Sequence, residues 1–237
     1  MMKKLRTFIL LLLAACAVIP ASAQWRIGIQ AGYTRNSLST SSGYFYDRRY
    51  VDLGGLTVGI PVQYGFTDWF AVGAEVDYIQ KNYGQRRSGF YAPLHEDMTN
   101  HYLSVPIYGR FSFGGSHLRG FVDAGVYGGG WLSAHRKGTH FSMFGTPDDD
   151  SYNDVGSSYR LYSYDEKYEF DSRRDNRFEA GALIGVGLEY RFTPIWALQA
   201  NFRYYRSLTD MQKDYMKERM PRYLDTFAFQ LGVMVNL

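Results

Sequence analysis

The chain has 237 residues, with 26 basic and 23 acidic side chains, 21 tyrosines, 25 glycines and a single cysteine. One cysteine excludes a disulfide framework and a thiolate metal cluster, and a formal charge of +3 is too small for a nucleic-acid-binding surface. The length suits one substantial domain, and no long segment of helical apolar period is present to build it from α-helices.

The chain opens MMKKLRTFILLLLAACAVIPASAQ, with Lys3, Lys4 and Arg6 ahead of an apolar run and Ala21-Ser22-Ala23 behind it. This is the three-part layout of a secretory signal peptide, and the apolar run is too short for a permanent membrane helix. Residues 1–23 are therefore expected to be removed, leaving 24–237 as one domain. A second reading stays open at Leu13-Ala14-Ala15-Cys16, where lipidation would make Cys16 the new N-terminus. Loss of Lys3, Lys4 and Arg6 lowers the 26 basic residues to 23, equal to the acidic ones. No cysteine then remains, and a neutral chain gives no reason to expect nucleic acid.

Strands are predicted near 25–35, 53–65, 69–81, 101–113, 118–133, 177–192, 196–207 and 224–237. In RFEAGALIGVGLEYRF, Phe178, Ala180, Ala182, Ile184, Val186, Leu188 and Tyr190 share one parity, while Glu179, Gly181, Gly185, Gly187, Glu189 and Arg191 share the other. Successive strand side chains face opposite ways, so one face is apolar and the other carries charges and glycines. Most of these strands reach the roughly 9–11 residues that cross a bilayer when tilted. Their connections alternate in length. Long ones are expected at 36–52, 82–100, 134–176 and 208–223, and short ones at GFTD, GGSH and TP. The expected fold is all-β, an eight-stranded antiparallel up-and-down transmembrane β-barrel with short periplasmic turns and long extracellular loops. YGFTDWFAVGAEVDY and YRFTPIWALQANFRY repeat one pattern around two short turns. They would set Trp69, Phe70, Phe192 and Trp196 at the periplasmic interface, where amphipathic rings favour the headgroup layer.

Charges cannot face lipid near the midplane without a penalty of a few kcal/mol each, so the polar parity must face the lumen. That places Arg26, Arg110, Arg119, Arg191 and Arg203 inside with Glu75, Asp77, Asp123, Glu179 and Glu189. Buried charges need partners, and an eight-stranded barrel is narrow enough to be filled by its own side chains. A lumen plugged by an ion-pair network is expected, with glycines such as Gly73 and Gly185 leaving room for long side chains.

The histidines are His95, His101, His117, His135 and His140. Ser133, His135 and Asp123 can be assembled on paper as a hydrolytic set, but no nucleophile elbow supports it. His101 and Ser104, three apart on a strand, face opposite ways unless the strand bulges. No catalytic residue, cofactor or metal site is expected. The oxygen-rich DDDSYND lacks the glycine and distal glutamate of an EF-hand loop and reads as a solvated acidic turn. After it, SSYRLYSYDEKYEF alternates aromatic and polar residues like a hairpin above the membrane. Tyr159, Arg160, Tyr162, Tyr164 and Tyr168 form either a recognition surface or packing onto neighbouring loops.

The signal end ASAQ, the opening WRIGIQAGYTRN, the run HYLSVPIYGRFSF into GFVDAGVYGG, and AGALIGVGLEYRF resemble the small outer-membrane β-barrel proteins of Bacteroidota, labelled porin-family or PorT-like. The resemblance spans nearly all of the mature chain, but its motifs are strand patterns that specify a fold and not an activity. It implies an eight-stranded barrel in the outer membrane and a monomer placed there by the barrel-insertion machinery. Its partners would be outer-membrane lipid and a candidate extracellular protein or carbohydrate ligand. The chain departs from the pattern in its long third loop and in ending LGVMVNL without a terminal aromatic residue. The expected role is structural or surface-interacting and non-enzymatic. A narrow porin-like channel for small solutes is the alternative, and a membrane-embedded hydrolase the third.

Overall fold

A computed structural model of the chain describes residues 24–40, 48–142, 153–154, 160–215 and 220–237. Residues 1–23, expected to be removed, lie outside them, as do most of DDDSYND and the side chains of 159 and 160. The elements in chain order are β1 (Gln24–Thr40), β2 (Arg48–Gly65), β3 (Phe70–Gln80), β4 (Tyr83–Arg87), β5 (His95–Gly114), β6 (Leu118–Ser142), β7 (Asn153–Asp154), β8 (Arg160–Lys167), β9 (Phe178–Arg191), β10 (Trp196–Ser207) and β11 (Arg222–Asn236).

Antiparallel pairing runs β1–β2–β3–β5–β6–β9–β10–β11 and returns from β11 to β1, so eight strands close into a ring. β4 continues the line of β3 between β2 and β5, and β8 lies along the far end of β6, beyond its pairing with β9. Every ring strand turns apolar side chains outward, among them Ile29, Ile60, Val76, Val105, Val126, Val186, Phe202 and Phe229. A continuous exposed apolar belt on a closed sheet is what lipid requires, since closure leaves no strand edge unpaired in hydrocarbon.

The repeated pattern has a local cause. At the turn after β2 the Thr67 hydroxyl accepts from the Phe70 amide at 3.0 Å, and at the turn after β9 Thr193 accepts from the Trp196 amide at 2.9 Å. A threonine that binds the backbone three residues on mimics a turn and closes it tightly. Trp69, Phe192 and Trp196 stand exposed at this short-turn end, where Trp25 packs on Tyr64 with ring centroids 4.9 Å apart.

The strands run well beyond their predicted limits. Parts of 36–52, 82–100 and 134–176, expected as loops, are strand: β1 continues to Thr40, β2 begins at Arg48, β4 and the start of β5 fill much of 82–100, and β6 reaches Ser142. At ~3.4 Å per residue the 25 residues of β6 extend roughly 80 Å, far more than the hydrocarbon needs. Outside the bilayer the outward face no longer has to be apolar, so the alternation fades while pairing continues. A bulge also inverts the parity. Tyr102 pairs with Trp131 but His101 with Ser133, which leaves Leu132 as an extra residue on β6. Below it Asp123, Tyr127 and Trp131 face inward, and above it Ala134 does.

The barrel's apolar core sits in the outer half of the lumen, where Leu38, Ile79, Tyr83, Met98, Tyr102, Trp131 and Leu224 pack together. Lower down, Tyr108, Tyr127, Leu183 and Tyr205 form a second cluster.

Val186 sits in the middle of β9 on the outward face. Val186→Arg is expected to destabilise the folded barrel in lipid vesicles by about 2–4 kcal/mol, the cost of a cation near the midplane. Reversible urea unfolding followed by tryptophan fluorescence measures it.

Candidate functional site

The lumen is crossed at its middle by a charged cluster. Arg203 on β10 forks onto Glu75 on β3, with Nη1 to Oε2 at 2.5 Å and Nη2 to Oε1 at 2.8 Å. β3 and β10 stand third and seventh in a ring of eight, so this pair spans the full diameter. The same Arg203 Nη2 reaches Asp123 Oδ2 at 3.0 Å, and Arg110 grips Asp123 with two bonds of 2.8 Å. Arg203, Arg110, Glu75 and Asp123 are all buried. Neutral donors and acceptors complete the cluster: Tyr108 and Gln30 donate to Glu75, and Arg110 donates to Gln199 Oε1 at 3.0 Å. The guanidinium of Arg110 also lies 3.6 Å over the Phe121 ring. Bidentate pairing with satisfied side lone pairs is the geometry under which buried charges offset their desolvation. Glycine makes room for it, since a Cβ at Gly73 would stand 2.5 Å from the Tyr108 ring and one at Gly185 2.7 Å from Arg203 Cγ.

Two smaller pairs lie above and below. Toward the short turns, Glu189 holds both Arg26 and Arg191, the latter at 2.8 Å and one-third exposed. Toward the loops, Glu179 meets Lys81 Nζ at 2.5 Å and accepts from the Tyr127 hydroxyl at 2.7 Å. Lys81, placed over the rings of Tyr102, Tyr127 and Tyr205, was absent from the sequence-derived set. The signal for it was available, because Lys81 shares the inward parity of Glu75 and Asp77.

Two expected members do not join the network. Arg119 sits at the short-turn rim and donates to the Asp68 backbone carbonyl rather than to a carboxylate. Asp77 is buried beside Glu75, yet it makes no ion pair among the described residues and neither of its oxygens has a donor in place. Arg203, the cation whose charge acts on it, is bound to Glu75 and Asp123.

Above this cluster the lumen holds a group of packed rings. Tyr102 and Trp131 stack with centroids 5.8 Å apart, Tyr168 also stacks on Trp131 at 5.9 Å, and Phe170 stands nearly perpendicular to Trp131 at 4.9 Å. The loop candidates thus fall into different places. Tyr168 packs into this cap, Tyr164 donates to Glu96 at 2.8 Å, and Tyr162 packs edge-on against His140. Tyr159 and the Arg160 side chain lie outside the described residues. Over the cap is a cavity of about 220 Å³, lined among the described residues by Tyr83, Met98, Trp131, Arg136, Arg174, Met211 and Arg222, with Glu96 and Asp175. Burial raises the Tyr168 hydroxyl above its ordinary range, with the Asp175 carboxylate adding to the shift, so the group stays a donor.

The hydrolytic set is not assembled. Asp123 is held in the plug by two arginines, while His135 is exposed on the far side of the bulge and engages Asp165. His101 lies outside the lumen against the Tyr78 hydroxyl, 2.5 Å away, whereas Ser104 is buried inside.

The model of the outer membrane protein β-barrel domain matches residues 20–213. The chain belongs to this family. An outer membrane protein β-barrel domain of this kind resides in the outer membrane, which makes the short turns periplasmic and the cavity extracellular. The barrel is similar to Neisserial surface protein A (NspA), at 14% identity over 88% of this chain and 96% of that one, with a TM-score of 0.41. It is similar to Ail, the attachment invasion locus protein of Yersinia pestis, at 14% identity over 90% and 98%, TM-score 0.41. OprG from Pseudomonas aeruginosa shares 10% over 90% and 95%, TM-score 0.46. No curated protein sequence matches the chain.

The two inward aspartates should respond oppositely to neutralisation. Asp123→Asn strips two buried guanidinium groups of a shared anion and is expected to cost about 3–5 kcal/mol. Asp77→Asn replaces a buried carboxyl that has no ion pair with a neutral side chain of the same shape, and stability should stay level or rise. Urea unfolding of both variants in vesicles tests the contrast.

Proposed function

We propose that this barrel is a closed, monomeric scaffold that acts at the cell surface through the structure above the membrane, and that its lumen does not conduct. What carries the reading is the Arg203–Glu75 pair, a fully buried bidentate bridge across the whole diameter. The aromatic cap of Tyr102, Trp131 and Tyr168 adds a second layer over it. The extramembrane extensions of β5 and β6, with β8, then hold polar and aromatic side chains well clear of the lipid. Because the apolar belt continues round all eight strands, the natural partner of the outer wall is lipid, into which the barrel-insertion machinery would place the chain after removal of residues 1–23. Within the family, the strand motifs quoted above favour the porin-family, PorT-like barrels of Bacteroidota. The extracellular partner would be a protein or a carbohydrate. The role is non-catalytic on this reading, since Asp123 and His135 are engaged by other groups.

Planar-bilayer recordings of the refolded barrel test the proposal. The wild type is expected to stay silent, and the double variant Glu75→Ala/Arg203→Ala, which removes the diameter-spanning pair without leaving a lone charge, should show openings that scale with salt. Steady openings in the wild type would overturn the closed scaffold in favour of a narrow porin-like channel.

A further inference from the structure

The cavity above the cap has an asymmetry in its hydrogen bonding. Its carboxylates are already supplied with donors. Asp175 accepts from the Tyr168 hydroxyl at 3.1 Å, from Arg174 Nε at 3.0 Å and from the Asp171 amide at 2.9 Å, and Glu96 accepts from Tyr164. Two of its three arginines are committed as well, Arg174 to Asp175 and Arg136 to Glu166 at 2.7 Å.

The groups left over are donors. Trp131 is only 3% exposed and its indole N–H has no partner among the described residues. Tyr83 is 5% exposed and lines the same cavity, and burial raises its hydroxyl well above its ordinary range, so it stays protonated and able to donate. The Arg222 guanidinium, within electrostatic reach of that hydroxyl, has no carboxylate partner there either. Buried polar groups are rarely left unmatched, and a cluster of unmatched donors around a hole describes what should fill it. A neutral hydroxyl, an indole N–H and a guanidinium on three side chains that line one space call for acceptor oxygens carrying negative charge.

Size and walls narrow the class. At ~30 Å³ per water, the space holds about seven waters, which is the scale of a monosaccharide or a small organic acid. Tyr102 and Tyr168 both stack on Trp131, and Met98 and Met211 supply an adaptable apolar wall. We infer that the outer mouth is a binding site for a small oxyanion, a carboxylate or phosphate on a body of about monosaccharide size, held by Arg222, Trp131 and Tyr83. This rests on the reading that the barrel works at its outer end.

Isothermal titration calorimetry on the refolded full barrel in detergent micelles tests it, with D-glucuronate, glucose 6-phosphate and glucose as probes. The first two separate carboxylate from phosphate, and glucose keeps the body without the charge. At least one charged probe is expected to bind, glucose about tenfold or more weaker, and Arg222→Gln should weaken the charged probe by a similar factor, the scale of one charge-assisted hydrogen bond. Trp131→Phe should weaken it less, since the ring stack is kept and only the N–H is lost. Equal affinity for glucose, undiminished binding by Arg222→Gln, or no binding of any probe would each overturn the site. If Arg222→Gln does not refold, the comparison of charged and neutral probes on the wild type decides. Calorimetry reads the mouth and conductance reads the lumen. A conducting barrel that still binds overturns the plug alone, and a silent barrel that binds nothing overturns the site alone.

Discussion

The pairing of β1 with β11, from Arg26 opposite Asn236 to Thr40 opposite Arg222, turns a sheet into a ring. In hydrocarbon an unpaired strand edge would leave a row of amides and carbonyls without partners, at several kcal/mol each. Closure therefore comes first, and other features follow from it. A closed ring has one inside and one outside, so the two-residue period of a strand sorts every side chain into lipid-facing or lumen-facing. Eight strands set a radius at which opposite walls come within reach of one arginine and one glutamate, and the forked Arg203–Glu75 bond is possible only because of that radius.

The same geometry explains why the lumen side chains are layered. Near the periplasmic end the lumen is polar, with Glu189 shared by Arg26 and Arg191. At the centre the charges are fully enclosed and need bidentate geometry, which Arg110 and Arg203 provide. Further out, Lys81 replaces arginine, and its ammonium is met by one carboxylate and three tyrosine rings. Above that the interior becomes apolar. Ion pairs and cation–π contacts thus occur together both at the centre, where Arg110 lies over Phe121, and at Lys81, and the interior above them is packed by apolar side chains. Asp77 is the exception, a carboxylate set one turn of the pleat from Glu75 with no cation left for it.

The ring and its inner charges were legible in the sequence because lipid enforces a strict alternation: Glu75, Asp123 and Arg203 could be assigned inward from parity alone. Lys81 was legible too, by extending that parity two residues past Ile79. Which arginine takes which carboxylate was not, because partners such as Arg203 and Glu75 are 128 residues apart and meet only across the closed ring. The outer end was hidden for a different reason. Beyond the bilayer no solvent contrast forces the outward face to be apolar, so β4 and the upper parts of β5 and β6 look like loop. The extra residue at Leu132 then exchanges inside for outside, which turns Trp131 and Ala134 into neighbours in one core although their parities differ. A rim residue such as Arg119 is ambiguous at the sequence level, because at the interface a cation can point to lumen, headgroup or turn without penalty.

The layering also bears on what the mouth can do. A ligand seated beside Arg222 rests on the Tyr102–Trp131–Tyr168 stack, and beneath the stack lie Lys81 with Glu179 and then the four-membered charge cluster. To pass inward it would have to part stacked rings and then break paired ions inside a sheet whose radius is fixed by closure. The cavity walls are different in kind. Met98 belongs to a ring strand, but Asp175, Met211 and Gln212 lie on the connections flanking β9 and β10, joined by the Asp175–Gln212 bridge and by the Asn176 amide bound to the Met211 carbonyl at 2.9 Å. One side of the cavity is therefore rigid and the other is built from connections tied to each other.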